Sequence, residues 1–359
     1  MNEPLPQGRT AAQARAARSR ALWYVARGRA ELRESALPAP GPGQALVRTA
    51  WSTLSRGTER LVFEGRVPLY LGERMRAPMQ EGEFPHPVKY GYCAVGTVED
   101  GPDDLAGRTV FALHPHQDAF MAPAGDLAVV PADVPPRRAV LAANMETALN
   151  ALWDSGAGPG DRIVVVGAGV VGLLAGYLSA CLPGAEVTMV DIDLSREEVA
   201  AGLGCRFRKP LDAPGKADVV FHASATSEGL ACALACAGRE ATVVEMSWYG
   251  DAETTAPLGL NFHGGRLKLV SSQVGEVSPS RRPRWTHRRR LDKALALLAD
   301  VRLDVLVTEE IAFADLPAAL PRLLARGAPG LATAVRYDPV IPGRAGGPSP
   351  EPINTDASP

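Results

Sequence analysis

The 359-residue sequence has no run of eighteen or more apolar residues, the length that a helix needs to cross a bilayer. It also has no excess of charge of either sign, because its formal net charge is -2. Proteins that bind nucleic acid or anionic lipid carry a basic surface, which this balance does not indicate. We therefore expect neither a membrane nor nucleic acid as a partner.

Cysteine is scarce, since the sequence has only five, scattered along the chain. An odd number without regular spacing does not indicate a disulfide framework. We interpret these cysteines as reduced thiols of a cytoplasmic protein. Residues 1–20 and 339–359 have few of the apolar residues that a core requires, and we predict that both are disordered tails.

One pattern stands out between these tails. An apolar run ends at Gly-x-Gly-x-x-Gly (167–172), a helical pattern follows, and a second apolar run ends at Asp191. Gly167 permits a tight turn, Gly169 lets the backbone approach a pyrophosphate, and Gly172 lets helix and strand pack closely. The pattern predicts a dinucleotide site at the start of the helix, where Val170 and Val171 lie.

Asp191 decides which dinucleotide we expect. Its carboxylate can accept hydrogen bonds from both ribose hydroxyls and would repel a 2'-phosphate, which favours NAD over NADP. Arg196 lies five residues further on and could bind that phosphate if Asp191 turned away, so NADP stays open.

The remaining pattern indicates two lobes. Short strand-like runs at 21–25, 44–50 and 96–99 are separated by Pro and Gly and predict a β lobe. Residues 138–153 read as a helix that crosses into an α/β lobe, in which runs at 218–221 and 241–245 predict further parallel strands.

This order of parts resembles the medium-chain dehydrogenase/reductase superfamily. Gly57-Thr58-Glu59 stands where the family has Gly-Thr-Asp, Gly91-Tyr92-Cys93 stands where it has Gly-His-Glu, and Thr147 lies in the crossing helix. Residues 55–59 and 84–92 most resemble a branch that includes bacteriochlorophyllide dehydrogenase and proteins labelled threonine-dehydrogenase-like or zinc-binding alcohol dehydrogenase. It implies an α/β fold with a GroES-like β-rich catalytic domain and a Rossmann domain with a doubly wound parallel sheet. The implied boundaries are 21–147 for the first part of the catalytic domain, 148–276 for the Rossmann domain and 277–338 for the return to the catalytic domain.

The zinc ligands of this superfamily are missing. Their places carry Arg56, Tyr92, Cys93 and Ala143. A guanidinium does not coordinate a metal, Ala143 has no donor atom, and a zinc site needs three or more N, S or O ligands. We predict no zinc, although Cys93, His114, His116 or Glu146 leave a substitute site open.

Hydride transfer without zinc needs another group to polarise the carbonyl and supply a proton. Tyr92 is the first candidate as a proton donor, and Arg56 could stabilise an alkoxide or bind a substrate carboxylate. Both could instead merely fill the vacated metal site. Glu146 could reach the nicotinamide or pair with Arg56, and His116 with His114 could relay protons or simply bond to the backbone.

The resemblance also places Thr147, Ser247 and Ser272 around the nicotinamide ribose and carboxamide. Residues 281–290 contain six arginines and Trp285, which predict either a solvated loop or a cleft edge that attracts an anionic substrate. We predict a zinc-independent NAD(P)-linked oxidoreductase that interconverts an alcohol and a carbonyl on a small molecule. The alternatives are a zinc-free enoyl or quinone reductase and a non-catalytic dinucleotide-binding regulator. A homodimer stays open.

Overall fold

A computed structural model describes residues 18–338 of the chain. Residues 1–17 of the predicted first tail (1–20) and the whole predicted second tail (339–359) lie outside the described residues. The first strand begins at Arg18, so the last three residues of the predicted first tail lie in a strand, and this corrects that boundary. These residues are ordered because Arg18 pairs with Ala36 of the neighbouring strand and the hydroxyl of Ser19 donates to the carbonyl of Ala119.

The first lobe contains two sheets. Within residues 18–338, nine strands come before the α/β lobe, and two more return to the first lobe after it. The first sheet has the order β2-β1-β5-β4, and the second has the order β16-β17-β3-β6-β7-β9 with β8 also paired to β3. The strands are β1 (Arg18–Ala26), β2 (Arg29–Ala36), β3 (Gln44–Thr53), β4 (Glu81–Gly82), β5 (Val88–Lys89), β6 (Ala94–Asp100), β7 (Thr109–Ala112), β8 (Ala119–Pro123), β9 (Ala128–Val129), β16 (Val307–Ala312) and β17 (Ala332–Arg336).

The second lobe is a six-stranded parallel sheet with the order β12-β11-β10-β13-β14-β15. The central strand Arg-Ile-Val-Val-Val is buried on both faces, as parallel sheets with helices on each side require. The predicted Rossmann sheet beside a β-rich domain is therefore confirmed. Its strands are β10 (Arg162–Val166), β11 (Glu186–Val190), β12 (Arg206–Arg208), β13 (Ala217–His222), β14 (Ala237–Glu245) and β15 (Lys268–Ser271).

Eight α-helices accompany the sheets in residues 18–338. The helix predicted at 138–153 is two helices, since a short turn of helix precedes a break and a longer helix that ends at Gly156 in a left-handed conformation (φ +72°). The helices are α1 (Arg56–Phe63), α2 (Pro136–Ala139), α3 (Ala142–Ser155), α4 (Val170–Ala180), α5 (Glu197–Gly202), α6 (Ser227–Cys236), α7 (His287–Leu297) and α8 (Leu316–Leu323). None of these helices is long and apolar enough to cross a bilayer.

One hydrophobic core joins the two lobes. Val95 and Phe111 of the first lobe belong to the same buried cluster as Met145 of α3, Val165 of β10 and Leu295 of α7. Because α3 packs against both lobes, it fixes the position of one relative to the other. The cavity between them is therefore held by buried apolar contacts.

Candidate active site

A cavity of about 700 Å³ opens between the two lobes. The second lobe lines it with residues that follow its strands, among them Val171, Ala223, Ser247 and Ser272. Ligands of open α/β sheets bind at this edge, beyond the carboxyl ends of the strands. The first lobe lines it with α1, the segment 74–79, Tyr92 and His114, and Glu146 and Thr147 line it from α3.

The glycine-rich turn has the shape that the sequence predicts. Gly167 has φ +107°, and a Cβ atom there would lie 2.8 Å from the carbonyl carbon of Ala223. A Cβ atom on Gly172 would lie 1.9 Å from the carbonyl oxygen of Gly167, so only glycine fits at either position. A Cβ atom on Gly169 would meet nothing within 4 Å. That open face at the start of α4 is where a pyrophosphate fits against the helix N-terminus.

Asp191 is held at the end of β11 by two backbone amides. Its Oδ2 accepts from the N–H of Ala168 at 2.6 Å, and its Oδ1 accepts from the N–H of Asp193 at 2.8 Å. Each oxygen of a carboxylate has further acceptor capacity, so the ribose hydroxyls can still bind. The side chain is therefore fixed beside the glycine-rich turn.

Arg196 does not face a ribose phosphate, which corrects its prediction as a cofactor residue. Its Nε pairs with Asp193 at 3.1 Å, and its guanidinium donates to the carbonyl of Gly330 in the first lobe at 2.8 Å. The prediction required Asp191 to turn away, and Asp191 is instead bound to the backbone.

Tyr92 lies half-buried on the cavity wall, beside the hydroxyl groups of Ser55 and Thr58. Burial raises the pKa of Tyr92 and nearby Cys93 adds to the effect, while hydrogen bonds from Ser55 and Thr58 lower it in part. The phenol is therefore protonated at neutral pH and can donate a hydrogen bond. The sequence alone indicates no role for Ser55 or Thr58, although Thr58 lies within the Gly-Thr-Glu motif.

Arg56 points away from the cavity, and its prediction as a catalytic residue is wrong. Its guanidinium donates to the carbonyls of Ala328, Pro329 and Gly330 at 3.3, 2.9 and 3.1 Å. These contacts tie the start of α1 to the segment before β17. Arg56 does not line the cavity that holds Tyr92.

His116 is buried beneath the site, and its prediction as a catalytic residue is also wrong. It is 1% exposed, its Nε2 lies 3.0 Å from Glu59 Oε2, and its Nδ1 lies 2.8 Å from the hydroxyl of Ser52. Glu59 also accepts from the hydroxyl of Tyr24 at 2.6 Å and from the N–H of Ser55 at 2.7 Å. This buried network supports the start of α1 from below.

His114 is the histidine of this pair that lines the cavity. Its ring stacks on Phe120 with a centroid distance of 3.7 Å, and its Nδ1 lies 2.9 Å from the carbonyl of Pro115. Burial lowers the pKa of His114 to about 3, against the raising effect of that hydrogen bond. The imidazole is thus neutral at pH 7, with Nδ1–H as the donor and Nε2 as an acceptor.

Glu146 lines the cavity but pairs with Arg290 of α7, not with Arg56. Arg290 Nε donates to Glu146 Oε1 at 2.9 Å, and both side chains are buried. Burial raises the pKa of Glu146, and the charge and hydrogen bond of Arg290 oppose this effect. Arg290 also donates to Asn150 Oδ1 at 2.6 Å and to the carbonyls of Val274 and Glu276.

A ladder of polar side chains on α3, formed by Glu146, Asn150 and Asp154, thus holds the segment that carries Ser272. Asp154 Oδ2 accepts from the hydroxyl of Ser272 at 2.7 Å and from Asn150 Nδ2 at 3.0 Å. The three residues are four apart, so they lie on one face of the helix. Segment 272–275 lines the cavity directly above this face.

Thr147 and Ser247, which the resemblance implies for the nicotinamide, also line the cavity. Thr147 donates its hydroxyl to the carbonyl of Ala143 at 2.9 Å, and Ser247 Oγ accepts from the N–H of Ala225 at 3.1 Å. Below them His222, which is fully buried, lies with its Nδ1 2.7 Å from Glu245 Oε2. Burial raises the pKa of Glu245, but the hydrogen bond and charge of His222 outweigh it, so that the pKa is lowered overall.

The arginine-rich segment contributes less to the cavity than expected. His287, Arg288 and Arg290 line the cavity, whereas Trp285 packs on Trp153 with ring centroids 4.7 Å apart. Arg289 stacks over the Trp285 ring at 4.1 Å. The prediction that Trp285 edges the cleft is therefore wrong.

The residues at the implied zinc position do not fit a metal ion. Arg56 faces away, Ala143 has no donor, and burial, with Glu59 adding to it, raises the pKa of the Cys93 thiol. A thiol must ionise before it can bind zinc. Among residues 18–338, no group of three or more His, Cys, Asp and Glu side chains could hold a metal ion.

Comparisons with known proteins agree with this architecture. An uncharacterized zinc-type alcohol dehydrogenase-like protein of Haemophilus influenzae is 27% identical over 215 residues, a match that spans 56% of this chain and 58% of that relative. A Sinorhizobium meliloti protein assigned as a zinc-binding dehydrogenase and solved with bound NADP has a TM-score of 0.73 at 18% identity, over 89% of this chain and 99% of that one. The chain has the fold of the medium-chain dehydrogenases.

A further solved structure supports the same fold. L-idonate 5-dehydrogenase of Escherichia coli superimposes with a TM-score of 0.74 at 15% identity, again over 89% of this chain and 99% of that one. No family model matches the chain. The two superpositions confirm the fold that the resemblance implied.

Proposed function

We propose that the protein is an NAD(P)-linked oxidoreductase that interconverts an alcohol and a carbonyl without zinc. The observation that supports this proposal is one cavity that joins the carboxyl ends of the Rossmann strands to the phenol of Tyr92. The Sinorhizobium meliloti protein of the same fold was solved with NADP, which supports a nicotinamide dinucleotide as the cofactor class.

Tyr92 and His114 have different roles in this reaction. Bound dihydronicotinamide would supply a hydride to the carbonyl carbon, and the former carbonyl oxygen takes one proton to give the alcohol. Tyr92 donates a hydrogen bond to that oxygen and then its proton, since a buried phenol is still a stronger acid than an aliphatic alcohol. His114 is neutral and accepts a hydrogen bond from a substrate hydroxyl.

We propose NAD rather than NADP as the preferred cofactor. Asp191 is held in place by two backbone N–H groups, so its charge stays where a 2'-phosphate would lie. Arg196, the cation that could offset this charge, is bound to Asp193 and Gly330.

The test is to follow the oxidation of NADH and NADPH with a panel of aldehydes, ketones and conjugated enones. We expect carbonyl reduction, and Tyr92→Phe should lower kcat by roughly a hundredfold to ten-thousandfold, the usual weight of a general acid. The affinity for NADH should not change. Tyr70→Phe is the matched control, because Tyr70 is 86% exposed and does not line the cavity.

Three results would argue against the proposal. Full activity of Tyr92→Phe would remove Tyr92 as the proton donor. Turnover of enones alone would indicate an enoyl reductase, and tight NADH binding without any turnover would indicate a regulator.

A further inference from the structure

Segment 74–79 forms one wall of the cavity and has a defined shape. The side-chain oxygen of Gln80 accepts from the N–H of Ala77 at 3.1 Å, and the N–H of Gln80 donates back to the carbonyl of Ala77 at 3.2 Å. Met79 has φ +56°, a left-handed conformation that is strained for a side chain of its size. Such strain persists only where surrounding contacts impose it, and it is common near functional sites.

Two arginines of this segment have no acidic partner among residues 18–338. Arg76 donates to the carbonyls of Gln80 at 3.1 Å and Gly82 at 3.4 Å, which hold the guanidinium in place but leave its charge uncompensated. Arg74 has no hydrogen bond or ion pair to any residue in 18–338. Both side chains are exposed at the opening of the cavity and line it.

The other arginines of the cavity are each neutralised. Arg290 pairs with Glu146 at 2.9 Å, and Arg288 pairs with Asp292 at 2.8 Å. Asp126 is the remaining acid of the lining, and it forms no ion pair with the residues that the structure describes. Asp126 offsets one of the charges of Arg74 and Arg76, so the lining keeps a net positive charge. Since low-dielectric walls focus the field of such a charge, we expect the opening beside segment 74–79 to attract anions.

Apolar side chains form another part of the cavity wall, which we call the apolar wall. Met75, Pro78 and Met79 of the segment face the cavity together with Leu113 and Ala122. A volume of about 700 Å³ can hold the nicotinamide end of a cofactor and a small aliphatic molecule. The cavity thus combines a phenol, an apolar wall and two guanidinium groups.

We infer that the substrate is an aldehyde or ketone with an anionic group, carboxylate or phosphate, at the other end of a short aliphatic chain. Arg74 and Arg76 bind the anion, the apolar wall contacts the chain, and Tyr92 bonds to the carbonyl oxygen. Guanidinium groups bind both anions through paired N–H donors, so the shared chemistry is that of an oxyanion. This inference rests on the proposed function and names its substrate class.

The experiment compares matched aldehydes with NADH. Succinic semialdehyde is paired with butanal, glutaric semialdehyde with pentanal, and glyceraldehyde 3-phosphate with glyceraldehyde. We expect kcat/KM for the charged member of at least one pair to exceed that of its neutral partner by about tenfold or more, the effect of a hydrogen bond to a charged group. The pair that shows this increase in kcat/KM indicates whether the anionic group of the substrate is a carboxylate or a phosphate.

The double substitution Arg74→Met and Arg76→Met should bring this ratio close to one, through an increase in KM for the charged aldehyde. Arg108→Met is the control and should keep the full ratio, because Arg108 is exposed and does not line the cavity. Equal kcat/KM for charged and neutral partners, or an unchanged ratio in the double variant, would overturn the inference and leave the proposed function standing.

Failure of the proposed function gives a different result, namely no turnover of any aldehyde. In that case glutarate and inorganic phosphate are titrated by calorimetry into the protein with NADH present. Binding of either anion that the double variant loses supports the anion site by itself. No binding of either anion overturns it.

Discussion

At the scale of single residues, the site depends on side chains that the backbone holds in one orientation. Asp191 shows this best, because two amide N–H groups bind its two oxygens and keep a negative charge beside the glycine-rich turn. Specificity for a dinucleotide is a difference between two affinities, and a fixed charge lowers the affinity for the phosphorylated one.

Asp191→Ala should narrow or reverse the preference for NADH over NADPH. The substitution removes an acceptor for the ribose hydroxyls, which weakens NADH binding, and removes the repulsion of a 2'-phosphate, which strengthens NADPH binding. Titration of nucleotide fluorescence measures both dissociation constants. Asp212→Ala, on the surface of the same lobe and outside the cavity, serves as the control.

Tighter binding of NADPH than NADH by the unmodified protein would contradict this assignment. It would mean that Arg196 leaves Gly330 when the cofactor binds, and Arg196→Met would then abolish the NADPH preference.

The sequence predicted the position of Asp191 because its environment is local, within a strand, a turn and a helix that are contiguous in the chain. It did not predict the direction of Arg56, whose acceptors at 328–330 lie 272 to 274 residues away in the chain. The same holds for His116, whose partner Glu59 comes from another element. Motif positions identify a residue type, whereas the direction of a long side chain depends on distant contacts.

At the scale of elements, α3 is the part that organises the cavity. Its apolar residues join the cores of both lobes. Its polar face holds the segment that follows β15, directly through Asp154 and indirectly through the bond of Glu146 to Arg290. The spacing of four residues between the side chains of this polar face is visible in the sequence. The pairing of Glu146 with Arg290 is not, because Arg290 lies within a run of arginines that is typical of a solvated loop. Arg290 differs from the neighbouring Arg288 and Arg289 in being buried.

Arg290→Met should destabilise the protein and weaken NADH binding together. It leaves Glu146 as a buried carboxylate without a cation, a loss that typically costs about 3–5 kcal/mol. It also frees the carbonyls of Val274 and Glu276, so segment 272–276 loses its bonds to Arg290 of α7, while the bond of Ser272 to Asp154 of α3 remains. Chemical denaturation measures the first effect, and the dissociation constant of NADH measures the second.

Arg289→Met is the matched control, because the neighbouring Arg289 is exposed and does not line the cavity. A stability change without any change in NADH affinity would show that the ion pair supports the fold alone. Arg290→Lys separates charge from geometry, since lysine keeps the charge but cannot bind several acceptors in one plane.

At the scale of the whole molecule, contacts between the lobes set the width of the cavity. The shared core lies on one side, and Arg196 reaches from the Rossmann lobe to Gly330 of the first lobe on another. The sequence predicted the two lobes because the periodicity of apolar residues identifies each strand and helix from its own residues, and the two lobes differ in their strands and helices. It did not predict this contact, which joins residues 134 positions apart.

Whether the purified protein holds zinc depends on side chains that the first lobe and α3 bring to the implied zinc position. The implied zinc position receives Tyr92 and Cys93 from the turn before β6, and Ala143 from α3, while Arg56 is drawn away to the segment before β17. The pKa of Cys93 is raised, first by burial, so this thiol stays protonated and is a poor ligand at neutral pH. We therefore expect no stoichiometric zinc by elemental analysis, even after growth in zinc-supplemented medium, and no loss of activity with a chelator. About one zinc per chain, together with chelator-sensitive turnover, would contradict this expectation and would require side chains of this site to rearrange when the metal binds.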